Sequence, residues 1–270
     1  MPDALACALA GLAASAGLAL AAWLWSLRQH DVSVVDPFWP FMIAGAGLGY
    51  ALCLPAAGAR GVAVLALAGL WALRLGTHLA WRRRGHPGED RRYQAIRARH
   101  APAFRARSLY LVFGLQAVLA WLVSAPLGAA WSSVAPMNAL DVLGATVALS
   151  GMLFEAVADA QLAAFRARRA VPGQVMDRGL WRYSRHPNYF GEACFWWGLG
   201  LMALAGGGWT GVAALLSPVL VTVLLLKVSG VGLLEADLVA RRGDAYRDYI
   251  ARTPAFIPGI PCRPRPRAKP

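Results

Sequence analysis

The sequence predicts an all-α integral membrane protein, a bundle of about seven transmembrane helices, from its composition and the length of its apolar stretches. Hydrophobic residues fill 58% of the 270 positions, and the mean hydropathy is +0.46. The apolar stretches run for about 20 residues, the length that a helix needs to cross a bilayer. The predicted spans are 4–25, 35–56, 61–81, 108–127, 138–160, 190–206 and 210–231.

Basic residues orient this bundle. The first span follows Asp3 without a basic residue before it and is followed by Arg28, so we expect a retained helix rather than a cleaved signal. The alternate loops hold only Arg60, whereas the other connecting segments are strongly basic, as cytoplasmic loops are. We therefore expect the N-terminus outside and the C-terminus in the cytoplasm. The basic segments are 82–107, 161–189 and 241–270.

The net charge of +13 and the pI near 10.6 do not indicate nucleic-acid binding, since the basic residues lie in separate juxtamembrane segments rather than in a soluble domain. Positive-inside topology and contact with anionic membrane lipids account for most of them, and the remainder could bind a phosphorylated cofactor. We expect one transmembrane domain over 1–260, a disordered basic tail over 261–270 and no obligate protein partner.

Two residue spacings argue against familiar motifs. The four cysteines are scattered without a CxxC spacing, so the sequence indicates neither a disulfide framework nor a metal site, and we expect free thiols. Gly45, Gly47 and Gly49 have no strand before them and no acidic residue about 20 positions later. They therefore indicate close helix packing rather than a dinucleotide-binding loop.

The third predicted helix carries a polar stripe. Arg74, His78 and Arg82 recur every four residues, which places them near one helical face. Arg82 could extend to the headgroups as long basic side chains do. Arg74 and His78 lie one to two turns further inside, where a charged side chain normally faces the bundle interior and has a partner.

The fifth predicted helix repeats the pattern with acids. Glu155 and Asp159 are one turn apart, and Arg166 follows Asp159 by two turns on the same face. Carboxylates there can accept hydrogen bonds from sugar hydroxyls or from an amide. The alternative is that Glu155 or Asp159 neutralises Arg74 in a buried pair without a chemical role.

Polar residues also flank the second helix and follow the third. Asp36 stands before a proline at a helix start, which is typical of an N-cap, but it could instead face a cavity as an acid. Arg92 and Tyr93 end the compact charged loop 85–93. A solvated loop is the default for such a charge run. Its position after the polar stripe favours a lid or a phosphate clamp.

The strongest site signal is the run 179–192. Two arginines, a histidine, an asparagine, two tyrosines and a glutamate occur there as the chain enters an apolar stretch, where unpaired polar groups are costly. Residues 183–192 resemble the C-terminal signature of the steroid 5-alpha-reductase superfamily, and the closest likeness is to its bacterial domain-of-unknown-function branch. The resemblance extends over 36–258.

The resemblance implies a seven-helix bundle in a bacterial inner membrane, open towards the cytoplasm, that binds NADPH. It implies hydride transfer to an activated C=C bond of a lipophilic, steroid- or lipid-like enone. Matched positions imply that Asn188 and Glu192 bind the nicotinamide end. The other implied cofactor-binding residues are Glu155, Asp159 and Arg166 for the adenosine part, Arg82 and Arg92 for the phosphates, and Arg185, His186 and Tyr189 within the signature.

One departure from that superfamily concerns catalysis. Steroid reductases use a Gln-Glu pair in helix 2 and a tyrosine in helix 3, whereas this chain has Asp36 and His78 there. Steroid is therefore a doubtful substrate. If the chemistry is kept, His78 or Tyr93 would donate a hydrogen bond to the carbonyl oxygen of the enone, with Asp36 orienting the donor.

Two alternatives stay open. The Arg-His-Pro-x-Tyr-x-Gly pattern also resembles S-adenosylmethionine-dependent methyltransferases of the isoprenylcysteine or phospholipid type. Those chains carry a Glu-Glu pair after the last helix, where this chain reads Leu234-Glu235-Ala236-Asp237. The second alternative is a lipid-binding membrane protein without catalysis. If Glu155, Asp159, Asn188 and Glu192 all face one open pocket, an enzyme is favoured over a lipid-binding protein without catalysis.

Overall fold

A computed structural model describes residues 4–54, 58–85, 88–168, 173–228 and 231–262. These residues form helices and connecting segments without a strand, which confirms the all-α prediction. The predicted tail lies largely outside the described residues. The α-helices are α1 Ala4–Gln29, α2 Val35–Cys53, α3 Ala59–Arg84, α4 Arg91–His100, α5 Phe104–Ser108, α6 Leu115–Val123, α7 Ala125–Ser132, α8 Ala139–Arg168, α9 Pro187–Ala205, α10 Gly208–Ala214, α11 Leu216–Val223, α12 Val231–Arg242 and α13 Asp244–Arg252.

Shorter helical turns join several of these helices. Their bounds are Val32–Val34 and Gly179–Arg182 for the 3-10 turns, and Leu109–Gly114 and Leu224–Val228 for the π-helical turns. The π turns continue directly into or out of α-helices, so the apolar stretches around them run on without a break.

Six helical stretches of the described residues are long and apolar enough to cross a membrane. They agree with six of the seven predicted spans and support the prediction of an integral membrane protein. The seventh, 190–206, is helical as part of α9, but Asn188 and Glu192 in its first turns lower its hydropathy. The six stretches are Ala4–Gln29, Val32–Cys53, Ala59–Arg84, Phe104–Ser132, Ala139–Arg168 and Gly208–Lys227.

The chain divides into two compact units. The first comprises Met1–Val142 and Leu199–Ser217, and the second comprises Leu143–Gly198 and Pro218–Pro270. Each unit has its own close helix contact and its own cluster of polar side chains.

In the first unit, α1 and α2 pack in backbone contact. A Cβ on Gly49 would lie 2.7 Å from the carbonyl oxygen of Ala10 and 3.1 Å from the Cα of Gly11. A Cβ on Gly47 would lie 2.5 Å from a side-chain carbon of Leu127. The backbone contact at Gly49 leaves no room for a Cβ, so the prediction of close helix packing for this glycine series is confirmed.

The second unit has an equivalent contact between α8 and α9. A Cβ on Gly151 would lie 2.6 Å from the carbonyl oxygen of Gly191, and a Cβ on Gly191 would lie 2.6 Å from the backbone nitrogen of Glu155. Two turns further along, a Cβ on Gly198 would lie 2.4 Å from the backbone nitrogen of Ala148. These contacts fix the register of the two helices, because a shift by one residue would bring larger side chains into the contact.

Candidate functional site

The glycine contact of α8 and α9 brings polar side chains of the second unit together. Asn188 Nδ2 donates a hydrogen bond to Asp159 Oδ1 at 3.2 Å. Glu155 lies one turn before Asp159, with its backbone against Gly191, the neighbour of Glu192. The carboxylic side chains at 155, 159 and 192 are buried, at 2%, 7% and 8% exposure. We call these three acids and Asn188 the α8/α9 cluster.

The segment before α9 is anchored on α8. Gly179 has a φ of +57°, and a Cβ there would lie 2.5 Å from Gln161 Oε1, so only glycine fits. The same Gln161 oxygen accepts a hydrogen bond from the backbone N–H of Leu180 at 2.9 Å. Trp181 donates from its indole nitrogen to the carbonyl oxygen of Ala158 at 3.0 Å. The turn is thereby held beside the helix that carries Asp159.

Arg185 is bound on several sides within the second unit. Its guanidinium donates to both oxygens of Glu235, at 2.7 and 3.1 Å. Another of its nitrogens donates to the carbonyl oxygens of Ile250 and Thr253. The cofactor contact predicted for Arg185 remains a prediction. The structure also gives the side chain a positioning role, because it ties the signature segment to α12 and to the end of α13.

His186 shares the same acid. Its Nε2 lies 3.2 Å from Glu235 Oε1, and its ring stacks on that of Tyr189 with a centroid separation of 5.5 Å. Burial raises the pKa of Glu235, but the hydrogen bonds from His186 and Arg185 outweigh it and lower the pKa to about 2. Glu235 is therefore a carboxylate throughout the physiological range, and it orients two predicted site residues at once.

The segment after α13 docks against the signature. The backbone N–H of Arg185 donates to the carbonyl oxygen of Pro254 at 2.9 Å, and Ser184 Oγ donates to that of Phe256 at 2.8 Å. Tyr249 donates from its hydroxyl to the carbonyl oxygen of Trp181. The C-terminal Tyr-x-x-Tyr…Phe-Ile-Pro stretch thus forms part of the scaffold under α9.

The first unit contains a second polar cluster. Tyr93 donates from its hydroxyl to Asp36 Oδ1 at 2.6 Å, and Arg92 Nη2 donates to Asp36 Oδ2 at 3.0 Å. The guanidinium carbon of Arg92 also lies 5.4 Å from the centre of the Tyr93 ring. These three side chains, which we call the Asp36 cluster, were all predicted site residues, and the structure brings them together.

The contacts of Asp36 show whether it caps the start of α2 or binds other side chains. The N-cap of the preceding 3-10 turn is Asp31, which accepts from the backbone N–H of Ser33 at 2.8 Å and from Arg83 at 2.6 Å. Asp36 lies in the first turn of α2, where its carboxylate is engaged by Tyr93 and Arg92. The N-cap interpretation of Asp36 is therefore wrong.

Helix α4 presents Arg92 and Tyr93 because its N-terminus is fixed. Asp90 caps it by accepting from the backbone N–H of Arg92 at 2.9 Å. Glu89 accepts from the backbone N–H of Val32 at 3.0 Å and from two nitrogens of Arg97, each at 2.7 Å. The predicted loop is thus bound to the turn before α2.

Charge and burial set the protonation of this helix start. Burial raises the pKa of Tyr93, and the nearby charge of Asp36 raises it further, so Tyr93 keeps its proton at physiological pH. Burial also acts to raise the pKa of Asp90, but the hydrogen bonds from Arg92 outweigh it and lower the pKa. The helix start therefore places a neutral phenol and a guanidinium beside the ionised carboxylate of Asp90.

An apolar groove of about 540 Å³ lies beside α2 in the first unit. Pro37 and Phe38, which follow Asp36 directly, line it, and Arg83 and Arg84 supply its basic end. The remaining lining residues are Trp25, Val34, Phe41, Gly76, Thr77 and Ala80. The indole nitrogen of Trp39, one turn after Asp36, is buried and has no hydrogen-bond partner in the described part of the chain.

The remaining predicted residues lie on α3 and α8. His78 is half-buried on α3, with its ring 6.5 Å from that of Trp81. Arg82 is exposed in the last turn of α3, and Arg166 is exposed in the last turn of α8. Their predicted roles remain predictions.

The chain matches the family described as Protein of unknown function (DUF1295) over residues 22–253. The chain belongs to this family. No curated protein and no solved structure matches it. The match begins within α1 and ends just after α13, so it includes both clusters of this DUF1295 protein.

Sequence reasoning missed two partners in this DUF1295 protein. Glu235 was noted as a departure from a methyltransferase pair, but not as the acid that binds Arg185 and His186. Asp141 was not noted, and it pairs with Arg60. The available signal was the cost of burying an arginine, which requires an acid nearby although the sequence does not say which one.

Proposed function

We propose that this protein is a membrane-embedded, NADPH-dependent reductase of the steroid 5-alpha-reductase superfamily, acting on an activated C=C bond of a lipophilic enone. The observation that carries the proposal is the α8/α9 cluster, in which Asn188 and Asp159 are joined and Glu155 and Glu192 are buried nearby. Buried acids and amides in a membrane protein are functional by default.

The residues of the second unit fit the two chemistries of NADPH. Acids and an amide suit the ribose hydroxyls and the nicotinamide amide, as carboxylates accept from both. Phosphates need cations, and arginine offers a planar fork for each. Exposed arginines suited to that role in the same unit are Arg166, Arg168, Arg178 and Arg182.

The Asp36 cluster fits the activation of a carbonyl group. NADPH, when bound, supplies the hydride that reaches the carbon β to that carbonyl. Negative charge then develops on the carbonyl oxygen, where a neutral phenol such as Tyr93 can donate a hydrogen bond. The phenolic proton now points to Asp36, so donation to a substrate requires the Tyr93 hydroxyl to rotate away from that carboxylate. Arg92 keeps the acid in place.

The apolar groove supports a lipophilic substrate. Its walls carry aromatic and aliphatic side chains, and its basic end lies at Arg83 and Arg84. We assign the groove to the hydrocarbon part of the enone.

The proposal places the protein in a bacterial inner membrane with its cofactor site facing the cytoplasm. Arg28 ends α1, Arg82 to Arg84 end α3, and Arg166 and Arg168 end α8, and cytoplasmic ends of helices collect such residues. In that orientation, NADPH would bind from the cytoplasm.

The first test is mass spectrometry of small molecules retained by the detergent-purified protein, with titrations of NADPH and of S-adenosylmethionine. Retained or saturably binding NADPH is the expected result and leads to a screen of enone lipids. Saturable binding of S-adenosylmethionine alone would overturn the reductase proposal in favour of the methyltransferase. Binding of neither would leave a lipid-binding protein without catalysis.

A second candidate function rests on Glu235. In the methyltransferases that this chain also resembles, acids follow the last helix, and here Glu235 in α12 binds both Arg185 and His186 of the signature. S-adenosylmethionine carries no phosphate, so this candidate predicts that removal of the exposed arginines of the second unit leaves cofactor binding unchanged. The reductase proposal predicts the opposite.

A further inference from the structure

The sulfur atoms of Cys7 and Cys53 meet at the edge of the contact between α1 and α2. Cys7 Sγ and Cys53 Sγ are 2.9 Å apart. Non-bonded heavy atoms normally pack at about 3.5–4.0 Å, whereas a disulfide bond is about 2.05 Å long. The two cysteines are not joined by a disulfide in this structure, yet their sulfur atoms are closer than ordinary packing places them.

The packing of the two helices sets this approach. Gly49 of α2 lies against Ala10 and Gly11 of α1, in antiparallel register. Cys53 follows Gly49 by one turn, and Cys7 precedes Gly11 by one turn, so the same register places the two cysteines opposite one another. Because the two helix backbones lie so close together, the Cβ atoms of the cysteines can come as near to each other as a disulfide requires.

The pair lies at the end of the helices away from the basic residues. Arg28 is in the last turn of α1, 21 residues after Cys7, which is about 30 Å along a helix and close to the thickness of a bilayer. Since basic ends are cytoplasmic, the cysteine end is extracytoplasmic. That side of a membrane is oxidising and permits disulfides to persist.

We propose that Cys7 and Cys53 form a disulfide that joins α1 to α2 on the extracytoplasmic side. The oxidant is a disulfide-bonded protein or small molecule of that compartment. The Cys53 thiolate, the less buried of the two, attacks one sulfur of the oxidant and forms a mixed disulfide. The first attack breaks the S–S bond of the oxidant; Cys7 then attacks the Cys53 sulfur of the mixed disulfide, and both sulfurs of the oxidant leave as thiols that carry the two electrons and two protons.

The bond would close a loop between positions 46 residues apart. It would hold α1 in place beside α2, in the first unit, without involving either polar cluster. Cys194 on α9 and Cys262 after α13 remain thiols in this proposal and serve as internal references.

Differential alkylation tests the proposal. Cells are quenched in acid, free thiols are alkylated in denaturant with a light reagent, and the protein is then reduced and treated with a heavy reagent. We expect Cys7 and Cys53 to carry the heavy label and Cys194 and Cys262 the light one. A light label on Cys7 and Cys53 would overturn the proposal.

Variants assign the pairing. In Cys53→Ser, Cys7 should change to the light label, whereas in the matched control Cys194→Ser it should stay heavy. A heavy label on Cys7 in Cys53→Ser would show a different partner and would overturn the pair. Reductant should lower the thermal midpoint of the wild type and leave that of the Cys7→Ser/Cys53→Ser variant unchanged; an equal response of both proteins would contradict a stabilising bond.

Discussion

Arg60 and Asp141 form a fully buried ion pair in which both carboxylate oxygens accept from the guanidinium at 2.7 Å. Both side chains are 0% exposed. The remaining guanidinium donors reach Ser133 Oγ and the carbonyl oxygens of Ala135 and Pro136. Arg60, the second residue of α3, therefore ties the start of that helix to the connection between α7 and α8.

Removal of Arg60 should destabilise the protein strongly, because Asp141 would be left as a buried charge. We expect Arg60→Met to lower the thermal midpoint in detergent by roughly 10 °C, on the basis of about 3 kcal/mol for such a loss. Arg99→Met, at an exposed position of α4, is the control and should change the midpoint little. The double variant Arg60→Met/Asp141→Leu should lose less than the two single variants together, and strict additivity would contradict a coupled pair.

Glu235 should stabilise the second unit in a pH-dependent way. Its pKa is lowered from 4.5 to about 2, so its stabilisation is fully present above pH 4.5 and is lost as the pH falls towards 2. Glu235→Gln should cost on the order of 2 kcal/mol at pH 7 and flatten the decline in the thermal midpoint over that acid window. Asp237→Asn, on the same helix with an exposed acid, is the control. An unchanged acid profile in Glu235→Gln would contradict the role of this pair.

Loss of the α8/α9 cluster should abolish cofactor binding without unfolding the protein. We expect Asn188→Ala and Glu192→Ala each to weaken NADPH binding at least about tenfold, measured by titration, because each removes polar contacts from a buried site. Gln174→Ala, an exposed amide of the same unit, is the control. Wild-type NADPH affinity in both variants would refute the assignment of this cluster.

Arg166 should distinguish NADPH from NADH. If its guanidinium binds the additional phosphate, Arg166→Ala should weaken NADPH about tenfold and NADH less than about twofold. Arg99→Ala in the first unit serves as a charge-matched control. Equal losses for the two nucleotides would show that Arg166 does not read that phosphate.

Tyr93 should act on the substrate rather than on the cofactor. Tyr93→Phe removes the hydroxyl that donates a hydrogen bond to Asp36 and that would donate to the substrate carbonyl. We therefore expect kcat for an identified enone to fall about a hundredfold, while NADPH affinity is kept. Tyr110→Phe, at an exposed tyrosine, is the control. Full activity in Tyr93→Phe would exclude it as a hydrogen-bond donor to the substrate.

The membrane helices and a polar site at the start of α9 could be predicted from the sequence for physical reasons, but the direct contact between Asn188 and Asp159 could not. Apolar length reports a span directly, and polar residues within apolar runs are costly enough to indicate a site. The role of Asp36 could not be decided from the sequence, because an N-cap aspartate and an aspartate that binds another side chain have the same local sequence. The side chain that decides between them, Tyr93, is 57 residues away. Partner choices at such separations depend on helix register.

That register comes from glycines whose role is visible only in three dimensions. Gly151 and Gly191 could pack against lipid or against any helix, and nothing in the sequence pairs one with the other. The partner of Arg185 was missed for the same reason, as Glu235 and Asp237 are equally acidic candidates at the start of α12.

The position of the groove sets how any ligand reaches it. Its lining comes from three helices that are long and apolar enough to cross a membrane, and Trp25 at its edge is 52% exposed, so a lipophilic ligand of the proposed kind would enter it from the bilayer. Occupancy is then governed by mole fraction in the bilayer. Each added methylene improves partitioning by about 0.8 kcal/mol, so the apparent aqueous affinity rises about fourfold per methylene without any new contact to the protein.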